Sequence, residues 1–235
     1  MITLDELYKL YKKCGSLTTD SRKIPPGSMF FALKGDRFDG NDFALQALEQ
    51  GAKCAIVDRA TLDGASPGEG KGSCILVENV LKTLQALAHY NRTLFNIPVL
   101  AITGTNGKTT TKELTDAVLS QKYRTVATEG NLNNHIGVPL TLMNINEKTE
   151  IAIIEMGASV PGEIAALVKI AEPTCGIVTN VGKAHLLGFG SFEGVKRTKG
   201  ELYDYLRQNG GIIFFNEENN ELKGMLANRP GVVTR

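Results

Sequence analysis

The sequence predicts an α/β protein in two parts, a small α/β N-terminal domain followed by a parallel-sheet domain of the phosphate-loop type. Three observations carry that expectation. Apolar, β-rich runs alternate with helical patterns along the chain. Beyond Ile97-Pro98 the alternation tightens into a strict strand–helix rhythm, the pattern of a parallel sheet covered on both faces. The stretch ITGTNGKTT, residues 102–110, places two glycines between one such strand and the helix that follows. With 235 residues, 42% hydrophobic and 22% charged, the chain can hold one large domain or two ordinary ones, each with its own core. A boundary near Ile97-Pro98 divides it into residues 1–96 and 97–235.

Taken in order, MFFAL (29–33), KCAIV (53–57) and CILV (74–77) read as strands, with helical patterns at 41–50 and 80–94. TLDGASPGEGKGS (61–73) holds four glycines and a proline and reads as a surface loop rather than a domain linker. The second part reads as strand 98–102, helix 108–120, strand 123–127, helix 138–144 and strand 150–155. It continues with helix 161–170, strand 175–179, helix 192–206, strand 211–215 and helix 218–227. The final GVVTR reads as a strand only just begun, so the second domain is expected to be truncated in this chain. No internal repeat is evident.

Charge and composition narrow the function. A net charge of +1, without a long Lys/Arg block, offers no broad field for nucleic acid or an acidic membrane, so an anion must be held locally. MITLDELYKLYKK is amphipathic and charged with no apolar signal-peptide core, and nowhere is there an apolar run of about 18 residues. A soluble, cytoplasmic protein is expected. Cys14, Cys54, Cys74 and Cys175 lie far apart with no C-x-x-C pair, so they read as reduced core filler.

The glycine loop supplies the local anion site. Gly104 and Gly107 let the backbone turn so that the N–H groups of Gly104, Thr105, Asn106, Gly107, Lys108, Thr109 and Thr110 can converge on phosphate at a helix N-terminus. Lys108 would reach the β- and γ-phosphates and the Thr109 hydroxyl would ligate Mg²⁺. The spacing is shorter than G-x-x-x-x-G-K-[ST], and the plainer reading is a glycine turn before a helix. A second hard ligand is available in EIAIIEMG, where Glu155 closes an apolar strand at the end facing the ligand crevice of such a sheet. Its plainer reading is a solvated strand-end carboxylate. A guanine-reading N-K-x-D signature is missing, which disfavours GTPases.

Lys199 falls with Phe192, Val195, Leu202 and Leu206 at steps of three and four, in the middle of an apolar helical stripe. A buried ammonium is costly unless paired or neutralised, so the choice is between a modified amine and a lysine that snorkels past the stripe. His89, among Leu84, Leu87 and Ala88, reads as structural, and His135 has a weak case for chemistry.

GTNGKTT, TEGNLNNHIGVPLTL (128–142), EMGAS (155–159), NVGKAHLLGFGSFEGV (180–195) and KGEL (199–202), in this order, resemble the Mur ligases. LTTDSRKIPPGSMFFALKGDRFDGNDF (17–43) resembles that family's uridine-nucleotide region, so the likeness spans nearly the whole chain. The family's own form of the phosphate loop is the short one found here. The resemblance implies a UDP-binding N-terminal domain, a central ATPase domain, and an ATP-dependent, ADP-forming ligase that makes an amide through an acyl phosphate. Within the family it implies UDP-MurNAc-tripeptide and D-Ala-D-Ala as substrates in peptidoglycan synthesis, and a monomer. It further implies two Mg²⁺ sites, one at Thr109 and Glu155, the other at His185 and a carbamylated Lys199. Asn131, Asn133 and Asn134 would hold the muramoyl-peptide substrate, where asparagines could instead shape turns. Ser21 and Arg22 would lie near the uridine nucleotide, where Asp20-Ser21-Arg22 could instead be an ordinary turn with a surface pair. The family's C-terminal, amine-bringing domain finds no counterpart in these residues, so the chain alone is expected to be inactive. Two alternatives stay open: another Mur or folylpolyglutamate-type amide ligase, and a nucleotide-sugar-binding module without catalysis.

Overall fold

A computed structural model describes residues 2–68, 70–183 and 186–227. The chain forms two compact units, Met1–Tyr90 and Asn91–Arg235.

The first unit opens with α1 (Leu4–Cys14), a helix the sequence reading left unassigned. Its start is a capping box. Thr3 Oγ1 accepts from Glu6 N at 3.3 Å, and Glu6 Oε2 accepts from Thr3 N at 2.9 Å. Gly15 ends it in the left-handed region at φ 73°, with Lys12 and Lys13 in the last turn, where cations favour the helix dipole. The chain continues through β1 (Leu17–Thr18), β2 (Met29–Phe31) and a short antiparallel pair, β3 (Lys34–Gly35) with β4 (Phe38–Asp39). The expected helix at 41–50 is split into a 3₁₀ turn, Gly40–Phe43, and α2 (Ala44–Glu49), because Asp39 caps the turn through Asn41 N. Then come β5 (Cys54–Val57), β6 (Ser73–Leu76) and α3 (Val80–Thr93). The glycine-rich loop before β6 contains a second 3₁₀ turn, Ala60–Leu62. Strands pair in parallel in the order β1-β2-β5-β6 over a core of Phe30, Ala44, Leu48, Ala55, Val57 and Cys74. Cys14 and Cys54 are buried free thiols with their sulfurs 3.9 Å apart.

The second unit takes in the last residues of α3 and builds the larger sheet from β7 (Val99–Thr103), β8 (Thr125–Ala127), β9 (Ile151–Glu155), β10 (Cys175–Val178) and β11 (Ile212–Phe214). The connecting helices are α4 (Lys108–Leu119), α5 (Gly137–Leu142), α6 (Glu163–Ala171), α7 (Leu186–Phe189), α8 (Phe192–Gln208) and α9 (Asn220–Ala227). All pairings are parallel, in the order β11-β10-β7-β9-β8. α4 packs against β7, β8 and β9, while α6 packs against both α5 and α8. Right-handed crossovers, the rule for parallel strands, would set these two groups of helices on opposite faces. After β9 the chain crosses β7 to form β10 on its far side, and a change of direction of this kind is where open α/β sheets commonly bind ligands, beyond the C-terminal ends of the strands.

Asn91 and Arg92 serve this unit as caps. Asn91 Nδ2 donates to the carbonyls of Leu142 (2.9 Å) and Ile145 (3.0 Å) at the end of α5. Arg92 donates to Ala171 (2.9 Å) and Glu172 (3.1 Å) at the end of α6. Leu142 and Ala171 close their helices, Ile145 and Glu172 lie just beyond, and carbonyls at a helix end are the ones its own ladder leaves open. The expected strand over GVVTR lies outside the described residues.

Candidate active site

β7 delivers the chain into the glycine loop, and two neighbouring strands fix what stands around it. Ile102 pairs with Glu155 on β9, and Thr103 pairs with Val178 on β10. Gly104 takes φ 148°, and a Cβ there would collide with Thr179 Oγ1. Gly107 takes φ 76° and starts α4 with no side-chain cap, so the first-turn N–H groups are not claimed by a capping side chain. Lys108 Nζ lies back over the loop, donating to the carbonyls of Gly104 (2.9 Å) and Thr105 (3.1 Å). Thr109 and Thr110 are exposed at the same helix start.

A clasp that the sequence reading did not find shapes this loop. Asn180, just beyond β10, accepts from Asn106 N on its Oδ1 (3.1 Å) and donates through Nδ2 to Asn106 O (2.9 Å). Its own carbonyl accepts from Thr105 N at 3.0 Å, and Thr179 Oγ1 donates to Asn106 O at 2.7 Å. The Asn106 peptide is thereby held at both its N–H and its C=O.

Glu155 is 1% exposed. Thr128 Oγ1 accepts from its backbone N at 2.9 Å, and Asn133 Nδ2 donates to its Oε1 at 2.7 Å. The other oxygen, Oε2, is buried with no partner among the described residues. A buried carboxylate oxygen left bare is costly unless a cation meets it, so this oxygen fits a hard divalent ion beside the loop. Among the described residues no group of three or more His, Cys, Asp or Glu side chains gathers to hold a metal. One carboxylate and one hydroxyl beside a phosphate is the ligand supply Mg²⁺ commonly uses.

Lys199 is 2% exposed, so it does not snorkel. Burial, reinforced by the charge of Lys108, pushes its amine down to about 8. Its Nζ lies 5.8 Å from the centre of the Phe189 ring. Two glycines of the stretch 185–194 have a steric reason: a Cβ on Gly188 would strike the Ser159 carbonyl, and one on Gly194 the Phe189 carbonyl. His185 lies outside the described residues.

The asparagines divide. Asn134 Oδ1 accepts from Ile136 N (3.0 Å) and Gly137 N (2.9 Å), which caps α5. Asn133 is committed to Glu155, and Asn131 is exposed. In the first unit Arg22 holds Asp20 in a two-pronged pair at 2.8 and 2.9 Å, which keeps the Asp20 carboxyl down at about 2. Ser21 is half-buried beside them. Of the histidines in the described residues, His89 is half-buried on α3 and His135 is exposed. No helix among the described residues is long and apolar enough to cross a membrane.

Comparison with known proteins gives the family. The Mur ligase middle domain matches residues 102–234, and the Mur ligase family catalytic domain matches residues 14–92. The UDP-N-acetylmuramoyl-tripeptide--D-alanyl-D-alanine ligase of Bacillus subtilis is 42% identical over 202 residues, covering 86% of this chain and 43% of that protein. A crystal structure of MurF from Acinetobacter baumannii superposes with a TM-score of 0.84 at 30% identity, covering 99% of this chain and 52% of that one. The MurF ligase of Thermotoga maritima in complex with ADP gives 0.80 at 35% identity, covering 93% and 49%. The chain thus spans about half the length of the relatives it matches. Since the middle-domain match alone takes in more than half of the chain, the chain belongs to the Mur ligase family.

Proposed function

We propose that the protein carrying this chain is an ATP-dependent amide ligase that joins D-Ala-D-Ala to UDP-MurNAc-tripeptide in peptidoglycan synthesis. The observation that carries the reading is the buried, half-satisfied Glu155 set by strand register beside the Lys108 loop. The relatives named for this reaction support the choice of substrates.

A tripeptide carboxylate oxygen attacks the γ-phosphorus of ATP, the bond to the bridging oxygen breaks, and ADP leaves. The amine of D-Ala-D-Ala then attacks the acyl carbon, phosphate leaves, and the amine proton is lost. An anion must approach a polyanion, so positive charge has to be concentrated where they meet. Lys108 is placed to turn from the loop carbonyls to phosphate oxygens, while the Asn180 clasp keeps the loop's backbone shape. Mg²⁺, when bound, would add positive charge against the phosphates. Thr109 and Glu155 would hold one ion, and His185 and Lys199 a second. A lysine amine lowered to about 8 is neutral often enough near physiological pH to add CO₂, losing a proton and exchanging a cation for a carbamate anion. Asn131, the exposed amide of its cluster, would meet the muramoyl substrate, and Ser21 and Arg22 the uridine nucleotide. On this reading the first domain binds the UDP substrate and the second binds ATP, in a cytoplasmic monomer.

The test incubates the full-length protein containing this chain with UDP-MurNAc-tripeptide, D-Ala-D-Ala and MgATP. Phosphate release matched one-to-one by the pentapeptide product mass is expected. No product with D-Ala-D-Ala, but glutamate addition to a folate, would move the assignment to the sibling ligases. Binding of the nucleotide sugar without ATP turnover would favour the binding-module alternative.

A further inference from the structure

We propose that Asn133 is the positioning residue of the Glu155 carboxylate: it holds one oxygen with a neutral N–H so that the other is presented to the metal. This rests on reading Glu155 as a Mg²⁺ ligand.

Glu155 is fixed at three points. Its backbone lies in the β7–β9 ladder, its N–H is taken by Thr128 Oγ1 at 2.9 Å, and its Oε1 by Asn133 Nδ2 at 2.7 Å. Oε2 is left without a partner among the described residues, at a residue 1% exposed. Asn133 is itself fixed by its backbone. Its carbonyl accepts from Gly157 N at 2.7 Å, and its N–H donates to Asn131 O at 2.7 Å. Gly157 makes room for its amide, since a Cβ at that position would lie 2.8 Å from Asn133 Oδ1.

The chemistry of the donor matters. An ammonium or guanidinium at this place would pair with the carboxylate and cancel the charge a metal needs. A hydroxyl reaching Oε1 would serve as a donor but would leave the aim less constrained than a planar amide. An amide N–H fixes the carboxylate's rotation without neutralising it, the way partners behind metal ligands commonly act. The bond also explains the first asparagine-rich motif in a way that does not require substrate contact from every amide in it.

The experiment measures Mn²⁺ binding by electron paramagnetic resonance in the 235-residue chain with saturating ADP, and ADP binding separately in EDTA. Asn133→Ala should weaken Mn²⁺ by about 10- to 100-fold, the usual effect of losing a partner behind a ligand, and leave ADP affinity in EDTA unchanged. Asn133→Leu, close to asparagine in shape but without a donor, should do the same and stands in if the alanine variant does not fold. Glu155→Gln separates the two layers of the argument. If it leaves Mn²⁺ affinity unchanged, the metal reading of Glu155 falls and Asn133 falls with it. If it weakens Mn²⁺ while both Asn133 variants stay within about twofold of the parent, the positioning role alone is overturned. Equal losses of Mn²⁺ and of ADP in EDTA would also overturn it, since they would mark a general packing role.

Discussion

The two parallel sheets of this protein end in the same way, with loops at the C-terminal edge, yet their polar side chains are treated differently. At the edge of the first sheet Asn41, 2% exposed, is bonded on every side-chain atom. Its amide donates to Asp39 (2.6 Å) and Asp58 (2.9 Å), and its Oδ1 accepts from Asp58 N (3.1 Å). Lys34 adds an ion pair to Asp58, and Arg59 bridges Asp39 and Asp42. At the edge of the second sheet Glu155 Oε2 and the Thr103 hydroxyl are buried without a partner among the described residues, and Lys199 of α8 is a buried amine. Buried polar groups are nearly always satisfied, and exceptions concentrate where a protein does chemistry. The Asn41 network is closed on itself, while the groups around Glu155 are left open, as the proposed ion site would require.

That contrast can be broken from the reactive side first. In the full-length protein, Lys108→Ala should fold normally but lose turnover by a few powers of ten, since losing an electrostatic clamp costs roughly 3–4 kcal/mol in the transition state. Steady-state kinetics over a Mg²⁺ series should show Glu155→Ala losing a similar amount and demanding more metal. Wild-type kcat in either variant would close the open site as an explanation.

Lys199 gives the next largest effect, and it reads on stability. Its folded amine sits near 8 while an unfolded lysine stays charged up to about 10.5, so between these values the unfolded chain holds more protons and stability rises with pH. Below about 8 the destabilisation is complete. The groups that act on this charge are Lys108, which lowers it, and Glu163 and Glu201, which raise it. In CO₂-free buffer, urea unfolding should find Lys199→Met more stable than the parent at pH 7, by a margin on the order of 3 kcal/mol that vanishes towards pH 10.5. A margin independent of pH would remove the buried cation from the account.

The closed network should respond in the opposite sense. Asn41→Ala removes the amide that ties the half-buried Asp39 and Asp58 together, although Arg59 and Lys34 stay paired to them. It should cost about 1–3 kcal/mol in a urea melt of the first unit, with the melt of the second unit unchanged. The smallest effect belongs to the exposed Asp20–Arg22 pair. Because the Asp20 carboxyl is depressed to about 2, its contribution is present above the ordinary carboxylate value and fades as pH falls through 2. Arg22→Ala should return the Asp20 titration, followed by NMR, to the ordinary range without a measurable change in melting.

How much of this was legible depended on distance along the chain. The phosphate loop, Glu155 at a strand end and Lys199 on its stripe were readable because each is a local pattern of spacing. The clasp from Asn180 to Asn106 and the bond from Asn133 to Glu155 were not. They join segments 74 and 22 residues apart, and they depend on which strand lies beside β7, which a strand–helix rhythm does not reveal. α1 was legible but unread: Thr3-x-x-Glu6 before an apolar run is a capping-box signature. The short β3–β4 pair carries too few residues to leave a period.

Asn91 and Arg92 have a consequence for anyone who wishes to cut this molecule. A second domain excised at the proline before β7 would leave behind the two side chains that occupy the carbonyl ends of α5 and α6. Water would have to enter a surface where Asn91 is now 2% and Arg92 6% exposed. An excised second half should therefore begin upstream of Asn91 and carry the tail of α3 with it, as a peg that travels with its socket.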